Sequence, residues 1–226
     1  MVRPRRIVLV RHGESEGNAD DTVYEREPDH ALRLTRKGRD QAAEAGVRLR
    51  EIFGNETISA YVSPYRRTLQ TFRELRLDPT RVRMREEPRL REQDWANFQI
   101  AGEIEDQKEL RNLYGHFFYR FREGESGSDV YDRISSFMET LHRHWSRPGY
   151  APNALFVTHG LTMRLFCMRW FHWSVEYFES LNNPENAEVR TLLRTSHGKY
   201  ELDKPFTQWE KRRVDETVLD APPMMF

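Results

Sequence analysis

Short runs of uninterrupted apolar residues alternate along the chain with longer stretches in which apolar residues recur every three or four positions. Residues 7–10 (Ile-Val-Leu-Val), 60–62 and 154–158 (Ala-Leu-Phe-Val-Thr) are of the first kind. Runs that short, without polar alternation, suit strands covered on both faces. Residues 42–53 are of the second kind: Ala42, Ala45, Gly46, Leu49, Ile52 and Phe53 fall on one helical face, behind Thr35 as N-cap. The pattern further predicts a helix over about 66–75, a strand around 81–85, and a helix over 102–121 with Leu110, Leu113, Tyr114, Phe117, Phe118 and Phe121 at helical spacing. After the turn Gly124-Glu125-Ser126, Ser126 and Asp129 have the spacing of a capping box. The helix it starts carries Val130, Ile134, Phe137, Met138, Leu141 and Trp145 on one face. A helix over about 161–170 and a pair of strands at 187–193 and 199–202 complete the prediction. Strand and helix alternate as they do in parallel α/β sheets.

Composition narrows the class. The chain has 226 residues, 38% hydrophobic and 12% aromatic, enough for one α/β domain with a sizeable core. Lys+Arg and Asp+Glu are 36 each, and a net charge of zero argues against nucleic-acid binding through bulk charge. Only five of the basic residues are lysine; codon bias of a GC-rich genome explains most of that excess of arginine, and a few arginines remain as candidate forks for phosphate. With Cys167 as its one cysteine the chain can form no intrachain disulfide, which fits a reducing compartment. The apolar run after Met-Val-Arg-Pro-Arg-Arg is too short for a signal peptide or a membrane span. The expectation is a soluble cytoplasmic protein of a single domain over 1–226, with no membrane or nucleic-acid partner and a frayed tail at 215–226.

The chemistry sits where two apolar runs end alike, in Arg11-His12-Gly13 and Thr158-His159-Gly160. Ligands of parallel α/β sheets bind beyond the carboxyl ends of strands, so two histidines at two such ends can face one pocket. A lone histidine there is more often structural; two in the same context, one preceded by arginine, favour function. Gly13 and Gly160 either let backbone approach a bound oxyanion with unusual dihedrals or serve plain strand-to-helix turns. Ser-Pro-Tyr-Arg-Arg-Thr at 63–68 offers an arginine pair that reaches phosphate or merely coats a helix. Other chemistries lack their residues. There is no P-loop and no Gly-x-Gly-x-x-Gly after a strand. There is no clustered zinc ligand set and no Gly-x-Ser-x-Gly elbow. Cys167 reads as a small buried thiol.

Taken together, these motifs resemble the histidine phosphatase superfamily, in the branch that includes cofactor-dependent phosphoglycerate mutases. The likeness rests on Arg-His-Gly-Glu-Ser with Asn18, Leu-Thr-Arg-Lys-Gly-Arg-Asp-Gln-Ala at 34–42, Ser-Pro-Tyr-Arg-Arg-Thr, Leu-Arg-Glu at 90–92, Gly-Glu-Ser at 124–126 and Thr-His-Gly at 158–160, in order over nearly the whole chain. It implies a three-layer α/β/α sandwich, with a mostly parallel sheet of about six strands and helices on both faces. It implies His12 as nucleophile through a phosphohistidine, and Glu92 as proton donor and acceptor. Arg11, Arg67 and His159 would act on the phosphoryl oxygens, with Asn18 and Gly160 completing phosphate binding. No metal and no cofactor are implied. The chain departs from the family at 95–99, where Trp-Ala-Asn-Phe-Gln replaces Phe-Gly-x-Trp-Glu-Gly in the substrate wall.

Three functions compete. A phosphomonoester phosphatase is favoured over a mutase, because Glu92 is followed by Gln-Asp-Trp-Ala-Asn rather than the mutases' Arg-His-Tyr-Gly, and 103–109 is mostly acidic. A non-catalytic binding protein is disfavoured by the intact His12 and Glu92. The expected partner is a small phosphorylated substrate, with a phosphoprotein also accessible to this chemistry, and the expected state a monomer or homodimer. The aromatic stripe at 110–121 reads as core packing, or as a lid-like insertion at 100–122. The aromatic run at 169–178 reads as core packing, or as a dimer contact. Glu125 and Ser126 read as turn and cap, or as a water-mediated or substrate contact.

Overall fold

The computed structural model describes residues 3–96 and 103–209. Strand β1 (Arg6–Arg11) leads through a short helix α1 (Glu16–Ala19) and two 3-10 turns into helix α2 (Arg36–Phe53). Then follow β2 (Ile58–Val62), α3 (Arg66–Glu74), β3 (Val82–Glu86), α4 (Glu103–Tyr114), α5 (Gly127–Trp145), β4 (Asn153–Thr158), α6 (Gly160–Phe171), α7 (Val175–Glu179), β5 (Val189–Arg194) and β6 (Tyr200–Leu202). They build one six-stranded sheet in the order β3-β2-β4-β1-β5-β6. The first four strands in sequence run parallel, and β5 and β6 add an antiparallel edge.

Alternation along β1 explains the layers. Ile7 and Leu9 face a core formed with α5 and α6, through Phe137, Leu141, Trp145 and Phe166. Val8 and Val10 face the opposite way, into a core with Ala45, Leu49 and Phe53 of α2. Helices therefore cover both faces, and the middles of β1 and β4 and most of β2 read apolar because neither face meets water. The edge strand β3 instead exposes Arg83, Met84, Arg85 and Glu86, and such a charged edge resists pairing with another chain.

The local signals act as expected at the helix starts. Thr35 Oγ1 accepts from Gly38 N, and Ser126 and Asp129 form the capping box. All six predicted apolar residues of α5 are buried. Cys167 is fully buried, and burial pushes its thiol up.

The stripe at 110–121 is corrected. The helix there ends at Tyr114, because Gly115 at φ +105° turns the chain. Beyond that break a spacing of three or four no longer means one face. Phe117 and Phe121 are buried, whereas Leu110, Leu113, Tyr114 and Phe118 are exposed, so the stripe as a whole is not core. Gly102 at its predicted start, Phe98 of the substrate wall and the tail at 215–226 lie outside the described residues. In the 169–178 run, Phe178 is core, and Trp170, Phe171, Trp173 and Tyr177 pack partly buried against it. Among the described residues, no helix is long and apolar enough to cross a membrane.

Candidate active site

The register of the sheet builds the site. β1 and β4 are paired with Arg11 opposite Thr158, so His12 and His159 leave the sheet side by side. His12 N donates to Thr158 O at 3.0 Å, and the two rings lie 5.2 Å apart, edge to face. On the other side of β4, Val62 pairs with Val157 and delivers Ser63 to the same end. Arg67 follows on the first turn of α3. Of the two candidate arginines, Arg66 is exposed and Arg67 is 3% exposed.

The His12 ring is held in one tautomer. Its Nδ1 lies 2.8 Å from Gly13 O, and a carbonyl only accepts, so Nδ1 carries the proton and Nε2 keeps a lone pair. Burial, with Arg67 and Arg11 adding to it, holds the imidazole pKa well below its ordinary value. The ring is thus neutral with a free nucleophilic nitrogen. Gly13 and Gly160 are corrected in one respect: neither has a positive φ. Gly13 is needed for close packing, since a Cβ there would lie 2.2 Å from Gly38 O. A Cβ on Gly160 would meet the side chain of Asn183 at 3.0 Å.

His159 is fully buried and also kept neutral, chiefly by burial and then by Arg67. Its Nε2 is 2.9 Å from Ser63 Oγ, which aims Nδ1 at Arg67 (3.4 Å) and at Glu92 Oε2 (3.7 Å). The Glu92 side chain is 21% exposed, so it lies partly open to solvent. Burial raises its pKa against the opposing pull of Arg67 and of the Gln93 N–H on Oε1, which favours the protonated acid.

The arginines are pre-set. Arg67 spans Asp29, with Nη1 2.8 Å from Oδ1 and Nη2 3.2 Å from Oδ2, and Nη1 also donates to the Asp29 carbonyl at 2.7 Å. Burial disfavours its charge, and Asp29, with Glu92 and Tyr24 adding to it, more than offsets this. The Tyr65 ring packs against the guanidinium, 4.9 Å from centroid to Cζ. Arg11 donates to Pro184 O at 2.5 Å, while its Nε is enclosed without a partner. Asn18 sits exposed at the rim. Its Oδ1 accepts from Ser15 N and from Asn186 Nδ2, both at 3.1 Å, so the amide nitrogen is the group left to donate. The structure therefore brings together Arg11, His12, Arg67, Glu92, His159 and Gly160, with Asn18 at the edge.

Several residues escaped sequence reasoning. Asp29 is one; its only local signal is its place in Pro-Asp-His, at the start of a 3-10 turn. Arg133 of α5 is another. It donates to the carbonyls of Arg89 (2.6 Å), Arg91 (2.9 Å) and Glu92 (3.0 Å), and so holds the loop that carries Glu92. Glu125 orients it, pairing with Arg133 at 3.0 Å and with Arg91, and accepting from Asp94 N at 3.0 Å. Glu125 is thus more than a turn residue, whereas Ser126 is the cap. Among the described residues, no group of three or more His, Cys, Asp and Glu is placed to hold a metal ion.

Comparisons with known proteins agree with this geometry. The family model described as histidine phosphatase superfamily (branch 1) matches residues 7–206. The chain is 47% identical over 222 residues to phosphoglycerate mutase-like protein AT74 of Arabidopsis thaliana, covering 92% of this chain and 70% of that protein. It is 31% identical, over an alignment of 312 residues, to broad-range acid phosphatase DET1 of Saccharomyces cerevisiae, covering 96% of this chain and 93% of that one. Its fold is similar to that of a mycobacterial glucosyl-3-phosphoglycerate phosphatase solved with VO3, with a TM-score of 0.68 and 24% identity over 90% of this chain and 100% of that chain.

The Arg67–Asp29 clamp makes a prediction. Removing one partner of a buried pair leaves an uncompensated charge. Asp29→Ala is expected to lower the melting temperature, and inorganic phosphate to raise it more in the variant than in the wild type, because phosphate then supplies the missing anion. Thermal unfolding with and without phosphate reads this. An equal phosphate shift in the two proteins would mean that Arg67 does not meet the anion.

Proposed function

Because this chain belongs to the histidine phosphatase superfamily (branch 1), we propose that it hydrolyses phosphomonoesters through a phosphohistidine on His12, without a metal. The observation that carries this reading is the His12 ring: neutral, buried between Arg11 and Arg67, with Nδ1 spent on Gly13 O and Nε2 free. The broad-range acid phosphatase among the relatives supports hydrolysis over internal transfer.

The first step forms a bond from His12 Nε2 to phosphorus and breaks the ester P–O bond. Glu92 gives its proton to the leaving oxygen. Arg11, Arg67 and His159 hold the equatorial oxygens, where the charge is spread. His159 is held neutral by its surroundings, and a bound dianion raises its pKa, so that Nδ1 takes a proton from solvent and becomes a donor. Asn18 adds a neutral donor at the rim. In the second step water attacks phosphorus, Glu92 as carboxylate takes its proton, and the P–N bond breaks to restore neutral His12. Splitting one displacement in two in this way needs no group beyond the side chains named.

Phosphate release from a panel of phosphomonoesters, measured with EDTA present, is expected to persist in the wild type and to vanish in His12→Ala. Release that EDTA abolishes, or that survives His12→Ala, contradicts the mechanism. The pH profile of kcat/KM follows from the two shifts. Below the lowered His12 pKa the lone pair is lost to a proton, and above the raised Glu92 pKa the acid is lost. The profile is therefore bell-shaped, and its alkaline limb belongs to Glu92. Glu92→Gln is expected to flatten that limb and to slow alkyl phosphates by about 10²–10⁴-fold, with a smaller loss for para-nitrophenyl phosphate, whose leaving group needs no proton. An unchanged alkaline limb would assign the acid elsewhere.

A further inference from the structure

The Arg67 fork that the mechanism assigns to the substrate already has partners. Nη1 donates to the Asp29 carbonyl at 2.7 Å and to Oδ1 at 2.8 Å. Nη2 donates to Oδ2 at 3.2 Å and lies 3.4 Å from His159 Nδ1. Each Nη nitrogen carries two N–H groups, so all four have an acceptor. A guanidinium grips two phosphoryl oxygens in the same forked geometry as it grips a carboxylate. Asp29 therefore takes the donors that the phosphoryl group needs.

Asp29 belongs to a strap, residues 20–31, that loops out between two pinned ends. Glu16 N donates to Arg33 O and Arg33 N to Glu16 Oε2, both at 2.9 Å, and Leu34 N donates to Gln70 Oε1 at 2.7 Å. Leu32 and Leu34 are buried at the return. Between those ends lie the 3-10 turns Asp21–Glu25 and Asp29–Ala31, and neither contains a buried residue. Their backbone bonds are local, such as Glu27 N to Val23 O at 3.0 Å and Ala31 N to Pro28 O at 2.9 Å. Side chains seat the strap. Beside the Arg67–Asp29 pair, Tyr24 rests on Gly17 of α1, where a Cβ would lie 2.5 Å from Tyr24 Oη. Burial and then Asp29 push the Tyr24 hydroxyl up to about 12, and Arg67 and Glu92 also act on it, so Tyr24 faces the charges of the site. An element that buries little and is held by a few side chains opens more readily than a core element. The strap is also acidic: Asp20, Asp21, Glu25, Glu27 and Asp29 stand against Arg26. A phosphate dianion at Arg11 and Arg67 repels it.

We propose that residues 20–31 form an autoinhibitory strap, with Asp29 as an internal anion in the Arg67 fork that a phosphomonoester must displace, lifting the strap, before Arg67 can hold its oxygens. Only the fraction of molecules with the strap lifted binds fully, and apparent affinity falls by that fraction. The strap regulates the site of the phosphatase reading above and rests on that reading.

The test uses His12→Ala protein, in which binding is read without turnover, alone and combined with Asp29→Asn or Gly17→Ala. Calorimetry is expected to show inorganic phosphate bound about 10-fold more tightly with Asp29→Asn. Gly17→Ala unseats Tyr24 and leaves Asp29 in place, and is expected to tighten phosphate by a smaller factor. Hydrogen exchange over 20–31 is expected to speed up when phosphate is added, although bound ligands ordinarily slow exchange. With Asp29→Asn it is expected to be fast before phosphate is added. An Asp29 that only orients Arg67 predicts the reverse. Unchanged or weaker phosphate binding with Asp29→Asn, or a strap that phosphate slows or leaves unchanged, overturns the strap and leaves the phosphatase reading standing. Tighter binding and a faster strap, in a protein whose wild type releases phosphate from no monoester, sink the phosphatase reading alone.

Discussion

Positive charge is held just beyond the ends of two strands, with Arg11 at the end of β1 and Arg67 after β2. The burial that keeps Arg11 and Arg67 from dispersing their charge into water is also the largest influence on the protonation of His12, His159 and Glu92 beside them. It helps hold His12 and His159 neutral, where exposed imidazoles would titrate near neutrality. The Glu92 side chain, partly open to solvent yet desolvated, is pushed toward its acid form. A neutral nucleophile, a proton donor and a cationic cradle all follow from this one arrangement. They are the groups that phosphoryl transfer requires.

The fold stabilises that arrangement with contacts that are not themselves chemical. Asp29 fills the Arg67 fork and offsets a charge that would otherwise be stranded. The strand register that sets Arg11 opposite Thr158 fixes the spacing of the two histidines. Gly13 passes so close to Gly38 that no side chain fits between the His12 loop and α2. On the far side, Arg133 gathers three carbonyls of one loop, those of Arg89, Arg91 and Glu92, and Glu125 holds Arg133 in place, so the Glu92 loop is tied to α5 rather than left free. Each of these side chains acts at a distance in sequence and at close range in space.

That difference in range decides how much the sequence reveals. The strands are legible because burial on both faces forces uninterrupted apolar runs, and His12 and His159 are legible because each follows such a run. Arg67 was separable from Arg66 only by the family's motif, since spacing alone gives both a place on a helix. Asp29 and the carbonyl contacts of Arg133 were silent, because their meaning lies in partners that the fold brings in from 38 and from at least 41 positions away. The aromatic stripe at 110–121 misled for a local reason: periodicity assumes an unbroken helix, and one glycine at positive φ ends it. The residues on either side of that break then face in different directions, which is why one stripe yields both core and exposed aromatics.

The account turns on which nitrogen of His12 is free, and phosphorylation of the protein reads it directly. Rapid acid-free trapping of the enzyme on a turned-over phosphomonoester, with ¹⁵N-labelled histidine, lets the ¹⁵N–³¹P coupling identify the attached atom. The account predicts phosphate on Nε2 of His12, with Nδ1 still protonated and bonded to the Gly13 carbonyl. Phosphate on Nδ1, on His159, or on no histidine while turnover continues would contradict it.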